Sequence, residues 1–529
     1  MSCVLTIDEG TTSTRALLID ESGKILDIVQ EEITQYYPQP GWVEHDAEEI
    51  WLKTLNCCRE LVKRNLEQAK EISSIAITNQ RETTVVWDAK TGQPIHKAIV
   101  WQCRRTTERC QELSQEDIGG INFTEYIKAK TGLIPDAYFS GTKLEWILNH
   151  CHPEGAKRPS GSHPDLLFGT IDTWLIWNLT LGRVHLTEAS NASRTMLYDI
   201  NENKWDDAIL EKLNICKTML PEVIESNGDF NSCPLFVDML EREIPIKAVL
   251  GDQQAALYAY DNQAKCTYGT GTFVMIPCPS LRGAQSATWQ SNAGDQRDAI
   301  SFSLETSNEG LLKSTAYKTK DDLAYALEGS IFVGGSIVQW LRDELEFIES
   351  AADIEKLAAD DSGGVYLIPA LAGLGAPFWR GDARGTIFGI TRGTDRSHIA
   401  RAALESIAYR VRDVFEALDN KPESLNVDGG ASRNDTLMQF QADLLQIPIK
   451  RYSETEMTAL GVAKMTGDIN LKLEAETSFE PKQNLEAKYQ DLQKYLALLL
   501  ADYICRLIIA QMKYWQNRLA KVKDPWHPW

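Results

Sequence analysis

The sequence lacks several features that would place it in common functional classes. It contains no G-x-x-x-x-G-K-[ST] motif, which excludes the P-loop route to nucleotide binding. Its 11 cysteines are irregularly spaced and include no C-x-x-C pair, which argues against a disulfide framework and a thiolate zinc site. Positive charge is scarce, since 54 Lys and Arg stand against 75 Asp and Glu and give a net charge of −21. We therefore expect no nucleic-acid partner and no binding to an anionic membrane surface.

The first residues also lack the basic segment and the cleavable apolar core of a secretory signal. Together with reduced thiols, this predicts a cytoplasmic protein. An apolar run over Tyr495–Ala510 invites comparison with a membrane span, but Asp502 and Arg506 interrupt it, whereas a span needs about 20 mostly uncharged residues. We expect a buried or interface helix within a longer helical pattern over Leu485–Lys523, with membrane association as the alternative.

The length of 529 residues and a hydrophobic content of 43% allow two to four domains with substantial cores. The chain opens with apolar strands at Val4–Ile7 and Arg15–Asp20, joined by the polar turn Asp8–Ser13. A third strand follows at Ile25–Val29. Helical patterns at Ala47–Lys70 and beyond alternate with further strand-like runs, which predicts an α/β sheet.

A second hairpin of the same kind is predicted at Cys266–Phe273, after the strand Ile246–Leu250 and the helical segment Ala255–Tyr260. Two similar hairpins suggest two related domains. No Pro/Ser linker separates them, so we predict abutting domains at residues 1–253 and 254–529. The polar, aperiodic stretch Ser280–Asp298 is predicted to be a long surface loop.

Three glycine-containing turns are candidates for holding phosphate or nucleoside. Gly10–Ser13 combines backbone N–H groups with three hydroxyls, and Arg15 adds a positive charge. Tyr268–Thr272 and Val427–Asn434 supply two more such turns, where glycine permits a close backbone approach to a ligand. Ordinary structural turns are the alternative for each.

A second set of residues could bind a hydroxylated acceptor. Arg81 and Glu82 place a guanidinium beside a carboxylate, and a surface salt bridge is the alternative interpretation. Asp252 ends an apolar strand, where its carboxylate could deprotonate an alcohol, hold Mg²⁺ or simply cap a turn. The aromatic residues that could line such a site, each of which could equally belong to a core, are Trp101, Tyr138 and Phe273.

In this combination the sequence resembles the FGGY carbohydrate kinases, and within them the members that phosphorylate glycerol, from about Val4 to Gly461. The resembling blocks, in chain order, are Asp8–Arg15, Gly41–Asp46, Asn79–Thr84, Trp101–Thr106, Tyr138–Lys143, Phe168–Trp174, Asn191–Met196, Gly251–Gln254, Gly373–Trp379 and His398–Tyr409. So many blocks in one order make chance implausible.

The resemblance implies an α/β fold with two RNase H-like (actin/hexokinase-type) domains and a ligand cleft between them. It implies transfer of the γ-phosphoryl group of ATP, with Mg²⁺, to glycerol to give sn-glycerol 3-phosphate. Within the resemblance, Arg81 and Glu82 favour glycerol over a ketose. It also implies a homodimer or homotetramer.

The resemblance further implies residue roles. The phosphates would be held by Thr11, Thr12, Ser13 and Arg15, with Thr270 and Gly271 on the opposing side. The nucleoside would be held by Gly335, Gln339, Gly430 and Asn434. Glycerol would be held by Arg81, Glu82, Tyr138, Asp252 and Gln253, and lined by Trp101 and Phe273. Asp252 would be the general base and Asp8 would hold Mg²⁺.

The sequence departs from the family pattern at four places. The segment Ser226–Leu240 differs from the Gly-rich loop through which some bacterial relatives bind fructose 1,6-bisphosphate, so we predict no such regulation. Glu9 stands where relatives usually carry Gln, which predicts an added negative charge beside the phosphate turn. The loop Ser280–Asp298 is long, and an unfamiliar sequence follows Gly461. Two other functions remain open at this point: a kinase for another small polyol or ketose, and a non-catalytic ATP-binding protein of the same fold.

Overall fold

The computed structural model describes residues 2–151, 165–278 and 308–501. The chain divides into two compact units. The first contains Met1–Cys266, Val274–Glu328 and Tyr452–Glu476, and the second contains Thr267–Phe273, Gly329–Arg451 and Thr477–Trp529. The predicted boundary at residue 253 falls inside the first unit, and as a domain boundary it stays a prediction. The predicted loop Ser280–Asp298 lies outside the described residues.

The strands of the described residues are β1 (Cys3–Glu9), β2 (Ser13–Asp20), β3 (Ile25–Glu32), β4 (Glu44–His45), β5 (Ile72–Asn79), β6 (Val85–Asp88), β7 (Ala98–Ile99), β8 (Asp117–Ile118), β9 (Ile121–Asn122), β10 (Leu166–Gly169), β11 (Leu186–Glu188), β12 (Tyr198–Asp199), β13 (Lys204–Trp205), β14 (Glu222–Ile224), β15 (Ser232–Cys233), β16 (Ile244–Gly251), β17 (Lys265–Tyr268), β18 (Thr272–Cys278), β19 (Leu312–Lys318), β20 (Leu323–Ile331), β21 (Tyr366–Ile368), β22 (Thr386–Phe388), β23 (Leu425–Asp428), β24 (Ile449–Tyr452) and β25 (Ala475–Phe479). The α-helices are α1 (Ala47–Arg64), α2 (Leu66–Ala69), α3 (Thr107–Leu113), α4 (Phe123–Thr131), α5 (Ser140–His150), α6 (Ile171–Leu179), α7 (Ala189–Ala192), α8 (Asp207–Lys212), α9 (Val237–Leu240), α10 (Asp252–Ala259), α11 (Ser336–Asp343), α12 (Ile354–Leu357), α13 (Arg396–Glu416), α14 (Asp435–Leu445) and α15 (Met457–Met465), and residues 486–501 are also helical.

The first unit is built on a six-stranded sheet in the order β15-β16-β5-β1-β2-β3. Strands β1, β2 and β3 are antiparallel neighbours, which confirms the predicted N-terminal hairpins, whereas β5 and β16 run parallel to β1 and to each other. Every residue of β1 is buried, as expected for a central strand covered on both faces. The carboxyl ends of β1, β5 and β16 therefore meet at one edge, where α/β folds place ligands.

Helices cover both faces of this sheet. On one face, Ile50 of α1 and Trp174 of α6 join a core with Leu5 and Ile7. On the other face, α10 and α15 pack beside each other and share a core with Val4 and Leu17. The layering is helix, sheet, helix, and it confirms the predicted α/β class. The predicted helix Ala47–Lys70 is also present, although Asn65 separates it into α1 and α2.

The pair α10 and α15 depends on one small residue. A Cβ atom added at Gly461 of α15 would lie 1.8 Å from the carbonyl oxygen of Ala255 in α10. A heavy atom cannot occupy that position, so only glycine allows this approach. Because α10 begins at Asp252, the packing at Gly461 fixes the place of a predicted catalytic residue.

The second unit carries the helices α13 and α14 and the parallel strands β23 and β24. Helical residues 486–501 dock on α13, where the hydroxyl of Tyr489 donates to Asp413 over 2.6 Å and Gln493 donates to the same carboxylate. Tyr495 stacks on Phe388 at 4.8 Å between ring centroids. The helical pattern predicted from Leu485 is thus present up to residue 501, and its remainder lies outside the described residues.

Within residues 2–151, 165–278 and 308–501, we find no helix with the length and apolar character that crossing a membrane requires.

Candidate active site

The turn Gly10–Ser13 joins β1 to β2 at the edge where the parallel strands end. The N–H of Gly10 donates to the carbonyl of Ser13 over 3.0 Å, which closes the turn. The carbonyls of Thr11 and Thr12 accept hydrogen bonds from Gln35 and Ile33, so the backbone is held from outside. Thr12 remains exposed and Thr11 half-buried. The predicted phosphate turn is therefore rigid and accessible.

Asp8 and Arg15 lie at the base of this turn, on opposite strands. Their side chains are 3.7 Å apart, and Arg15 also pairs with Glu456 at 2.5 Å. Thr458 of α15 donates to Asp8 over 3.0 Å. Burial raises the pKa of Asp8 to about 6 although Arg15 opposes this shift, so the carboxylate is ionised at neutral pH. Glu456 and Thr458 had no predicted role.

Glu9 does not match its sequence-based interpretation. Its side chain is fully buried and accepts a hydrogen bond from Thr54 over 3.1 Å. Burial raises the pKa of Glu9 to about 8, because desolvation penalises the charged form. At neutral pH the carboxyl is therefore mostly protonated, and the expectation that it adds negative charge beside the phosphate turn is wrong. A protonated carboxyl has nearly the shape of a glutamine amide.

This protonation predicts a pH-dependent stability. The folded chain keeps a proton that the unfolded chain loses as pH rises from about 4.5 to about 8, so the Glu9 contribution to the free energy of unfolding falls across that window and is constant above it. Glu9→Gln cannot ionise, so its free energy of unfolding is expected to exceed that of the wild type by a margin that grows over the same window, on the order of a few kcal/mol in total. Its Tm should exceed that of the wild type by a margin that grows in parallel. Thermal unfolding of both proteins over this pH range checks the prediction. A constant margin would contradict it.

Arg81 and Glu82 follow β5 and form the centre of a buried polar cluster. Both side chains are only 2% exposed, so the alternative of a surface salt bridge is wrong. Arg81 forms a two-pronged pair with Glu328 of β20 at 2.5 and 3.0 Å, and its Nε lies 3.1 Å from Asp252. Arg194 donates to Glu82 over 2.7 Å.

Asp252 occupies the first position of α10, directly after β16. Its side chain is 30% exposed, the most accessible carboxylate of the cluster. It also accepts the N–H of Gln253 over 2.6 Å, as a turn-capping residue would. The Gln253 side chain is buried, and its oxygen accepts from Lys265 over 2.5 Å. Asp252 thus combines a structural contact with an accessible oxygen beside a fixed cation.

Two of the predicted aromatic residues contact each other beside this cluster. The rings of Trp101 and Tyr138 meet edge to face at 5.6 Å. The Nε1 of Trp101 donates to the hydroxyl of Thr11 over 2.8 Å, and Arg81 donates to the hydroxyl of Tyr138 over 3.4 Å. Trp101 therefore links the predicted acceptor residue Tyr138 to Thr11 of the predicted phosphate turn. Phe273 belongs to the second unit.

The predicted nucleotide residues of the second unit lie on three neighbouring turns. The carbonyl of Thr270 accepts from the N–H of Gly334 over 2.9 Å, and the N–H of Gly335 donates to Gly269 over 2.8 Å. A Cβ at Gly335 would lie 3.8 Å from the Cβ of Ala431. The turn after β23, which contains Ala431, therefore lies next to Gly335. These turns contain the predicted residues Thr270, Gly271, Gly335, Gly430 and Asn434, and the exposed Gln339 follows in α11.

Gly429 and Asn434 shape the last of these turns. Gly429 has a φ of 85°, and a Cβ there would lie 2.6 Å from the carbonyl of Tyr268, so this position requires glycine. Asn434 caps α14 by accepting the N–H of Leu437 over 2.7 Å. The cap is a structural role beside the nucleoside role that the resemblance implies.

Three buried charged residues of the acceptor cluster were missed as site residues. Lys143 donates to the carbonyls of Tyr138 and Glu82, and its burial lowers its pKa to about 8. Arg194 lay inside a resembling block but had no assigned role. Glu328 had none either, although a single carboxylate within the apolar strand Leu323–Ile331 is a detectable signal.

The layered α/β unit, the glycine turns at strand ends and the accessible aspartate beside a fixed guanidinium are the features that we expect of a small-molecule kinase. The FGGY family of carbohydrate kinases matches at residues 3–259 with its N-terminal domain and at residues 264–467 with its C-terminal domain. The chain therefore belongs to the FGGY family of carbohydrate kinases.

Individual relatives cover nearly the whole chain. The glycerol kinase of Carboxydothermus hydrogenoformans is 48% identical over 502 residues, which is 93% of both proteins. Glycerol kinase 2 of Thermotoga maritima is 45% identical over 94% of this chain and 97% of its own length. The crystal structure of Plasmodium falciparum glycerol kinase with ADP superposes with a TM-score of 0.77 at 31% identity, covering 94% of this chain and 98% of that one.

Proposed function

We propose that this protein transfers the γ-phosphoryl group of ATP to glycerol and releases sn-glycerol 3-phosphate and ADP. The observation that carries the proposal is the cluster in which Arg81 lies within 4 Å of both Glu82 and Asp252, in a chain similar to glycerol kinases over nearly its whole length. A guanidinium and two carboxylates offer both donors and acceptors to a polyol.

In this proposal the acceptor is held by Arg81, Glu82, Tyr138, Asp252 and Gln253, with Trp101 and Phe273 as its apolar walls. Arg81 and Glu82 are buried, and each is already paired within the cluster, Arg81 with Glu328 and Glu82 with Arg194. Their polar groups are thereby held in fixed orientations, which favours an acceptor whose several hydroxyls match them over a simple alcohol.

Asp252 acts as the general base. As the terminal oxygen of glycerol bonds to the γ-phosphorus and the bond from phosphorus to the β,γ-bridging oxygen breaks, the hydroxyl proton moves to the Asp252 carboxylate. The contact between Arg81 and Asp252 at 3.1 Å holds that carboxylate in a fixed orientation. Positioning of both reactants supplies much of the remaining rate enhancement.

The nucleotide roles follow the resemblance. Phosphate oxygens are bound by two sets of residues. The first set is Thr11, Thr12, Ser13 and Arg15, and the second is Thr270 and Gly271. Gly335, Gln339, Gly430 and Asn434 bind the nucleoside. Gly430 suits a close approach of the nucleoside to the backbone. A Cβ at this position would have no atom within 4 Å, so the space in front of Gly430 is open.

Asp8 fits a role in holding Mg²⁺. No group of three or more His, Cys, Asp or Glu side chains suited to a metal occurs among the described residues, but Mg²⁺ is commonly bound through one or two carboxylates, waters and phosphates. Asp8 offers one ionised carboxylate at the end of β1, beside the phosphate turn. The bound cation would neutralise charge on the transferring phosphates.

We place the protein in the cytoplasm and expect a homodimer or homotetramer with no nucleic-acid partner. The 11 cysteines of the sequence are irregularly spaced and include no C-x-x-C pair, which suits a reducing compartment.

The decisive experiment measures ADP release by the purified protein with Mg-ATP. We expect glycerol-dependent turnover, with a kcat of about 1–100 per second as in other kinases, and little release without acceptor or with a panel of ketoses and other polyols. Preference for another acceptor would overturn the argument from Arg81 and Glu82. ATP binding without turnover on any acceptor would favour a non-catalytic ATP-binding protein.

A further inference from the structure

Two buried residues lie behind the proposed acceptor-binding pair. Arg194 and Glu328 are both fully buried. Arg194 donates to Glu82 over 2.7 Å and to Glu328 over 3.1 Å. Glu328 in turn receives both terminal nitrogens of Arg81. The four side chains form a closed chain of contacts in the order Glu82, Arg194, Glu328, Arg81.

The four side chains of this closed chain carry balanced charges. Arg81 and Arg194 supply two positive charges, and Glu82 and Glu328 supply two negative ones. The carboxylate of Asp252 lies beside Arg81, and the buried Lys143 donates to the carbonyl of Glu82. Unpaired buried charge is strongly unfavourable, so each member of the closed chain depends on the others.

The contacts of Arg194 go to the cluster itself. Its Nε and Nη2 bond to the two glutamates, while its third nitrogen, Nη1, has no hydrogen-bond partner among the described residues. Its guanidinium also lies 5.3 Å from the ring centres of Tyr138 and Phe139. Arg194 therefore joins Glu82 and Tyr138 of the proposed acceptor site to the buried Glu328, without being assigned a contact to the substrate.

We propose that Arg194 and Glu328 are positioning residues that hold Glu82 and Arg81 in the orientation required to bind the acceptor. The proposal rests on the proposed function, because it takes the acceptor to be bound by Arg81 and Glu82. Arg194 fixes the carboxylate of Glu82, and Glu328 holds the guanidinium of Arg81 with its Nε 3.1 Å from Asp252. Preorganisation of this kind lowers the cost of binding.

Loss of either residue should weaken acceptor binding while ATP binding is kept. In Arg194→Met, Glu82 loses its closest cation and both glutamates must share Arg81, so the KM for glycerol is expected to rise at least tenfold. In Glu328→Gln, Arg81 loses its two-pronged partner and a similar rise is expected. The KM for ATP should stay within twofold in both variants.

Conservative replacement separates positioning from bulk structure. Lysine cannot reach two carboxylates with a planar fork, so Arg194→Lys is expected to restore folding but only part of the affinity for glycerol. The double variant Arg194→Met with Glu328→Gln removes one charge of each sign. If the two residues act as one unit, its KM for glycerol should not exceed that of the worse single variant.

The test combines steady-state kinetics with glycerol titration followed by calorimetry, on full-length proteins whose folding is checked by thermal unfolding. Arg410→Met is the matched control, since Arg410 is also a buried arginine but packs on Phe378 in the second unit. It should lose stability without a selective rise in the KM for glycerol.

A KM for glycerol within twofold of wild type in a folded Arg194→Met or Glu328→Gln variant would overturn the proposal. An equal rise in the KM for ATP would do the same, because it would indicate a general structural loss. If the wild type prefers another acceptor, the proposed function fails instead, and the same KM comparison with that acceptor still decides the positioning role.

Discussion

Asp252→Asn is expected to reduce kcat by about 10²- to 10⁴-fold and to leave glycerol binding nearly unchanged. Asparagine keeps the size of the side chain and an oxygen that can accept from Arg81 and from the N–H of Gln253, the two contacts that Asp252 makes. It has no basic oxygen that can take the hydroxyl proton of the acceptor. An interaction needed only in the transition state lowers kcat without raising KM.

Steady-state assays of ADP release measure the change in kcat. Calorimetric titration with glycerol measures the change in glycerol binding separately. Asp261→Asn is a suitable control, because Asp261 lies just beyond the other end of α10 and its side chain is 77% exposed. Its kcat should match that of the wild type. Turnover of Asp252→Asn within tenfold of the wild type would contradict the general-base role.

The local parts of the fold could be predicted from the sequence. The hairpin β1 to β2 has uninterrupted apolar strands around a short polar turn, so both its strands and its candidate phosphate turn follow from neighbouring residues. The identity of α10 was also predictable, although the helix begins at Asp252, three residues before the predicted start. The local sequence pattern is sufficient to predict these elements, because their backbone hydrogen bonds join residues that are close together in the sequence.

The acceptor cluster could be predicted only in part. Arg81 and Glu82 are adjacent, so their pairing with a ligand was suggested by one dipeptide. Glu328 lies 247 residues from Arg81, and Arg194 lies 112 residues from Glu82. Such partners are set by tertiary packing, and a single sequence carries no record of which distant carboxylate meets which guanidinium.

Glu9 shows the same limit in its electrostatics. Formal charge assigns it a negative charge at neutral pH, and the sequence offered no reason to doubt this. The pKa depends on the burial of the side chain at the end of β1 and on the hydroxyl of Thr54, 45 residues away. The residue type determines whether a side chain can ionise, whereas its environment in the fold determines the pKa and therefore its charge at a given pH.

Gly461→Ala is expected to destabilise the first unit by about 3 kcal/mol or more and to impair catalysis at the same time. The new methyl group would fall 1.8 Å from the carbonyl oxygen and 2.6 Å from the carbonyl carbon of Ala255, so backbone atoms rather than a movable side chain block it. The helices α10 and α15 must separate to relieve this contact. Asp252 starts α10, and Thr458 in α15 bonds to Asp8, so the displacement reaches both the proposed base and the proposed Mg²⁺ ligand.

Thermal unfolding and steady-state kinetics of Gly461→Ala test this coupling, with Gly393→Ala as the matched control. A Cβ at Gly393 has only the hydroxyl of Thr391 within 4 Å, at 3.9 Å, so this variant should keep the wild-type Tm and kcat. For Gly461→Ala we expect a Tm lower by several degrees and a kcat reduced at least tenfold even at temperatures where the protein remains folded. A lower Tm with an unchanged kcat would show that the helices relax without moving Asp252, and a wild-type Tm would show that the close approach does not restrict residue 461.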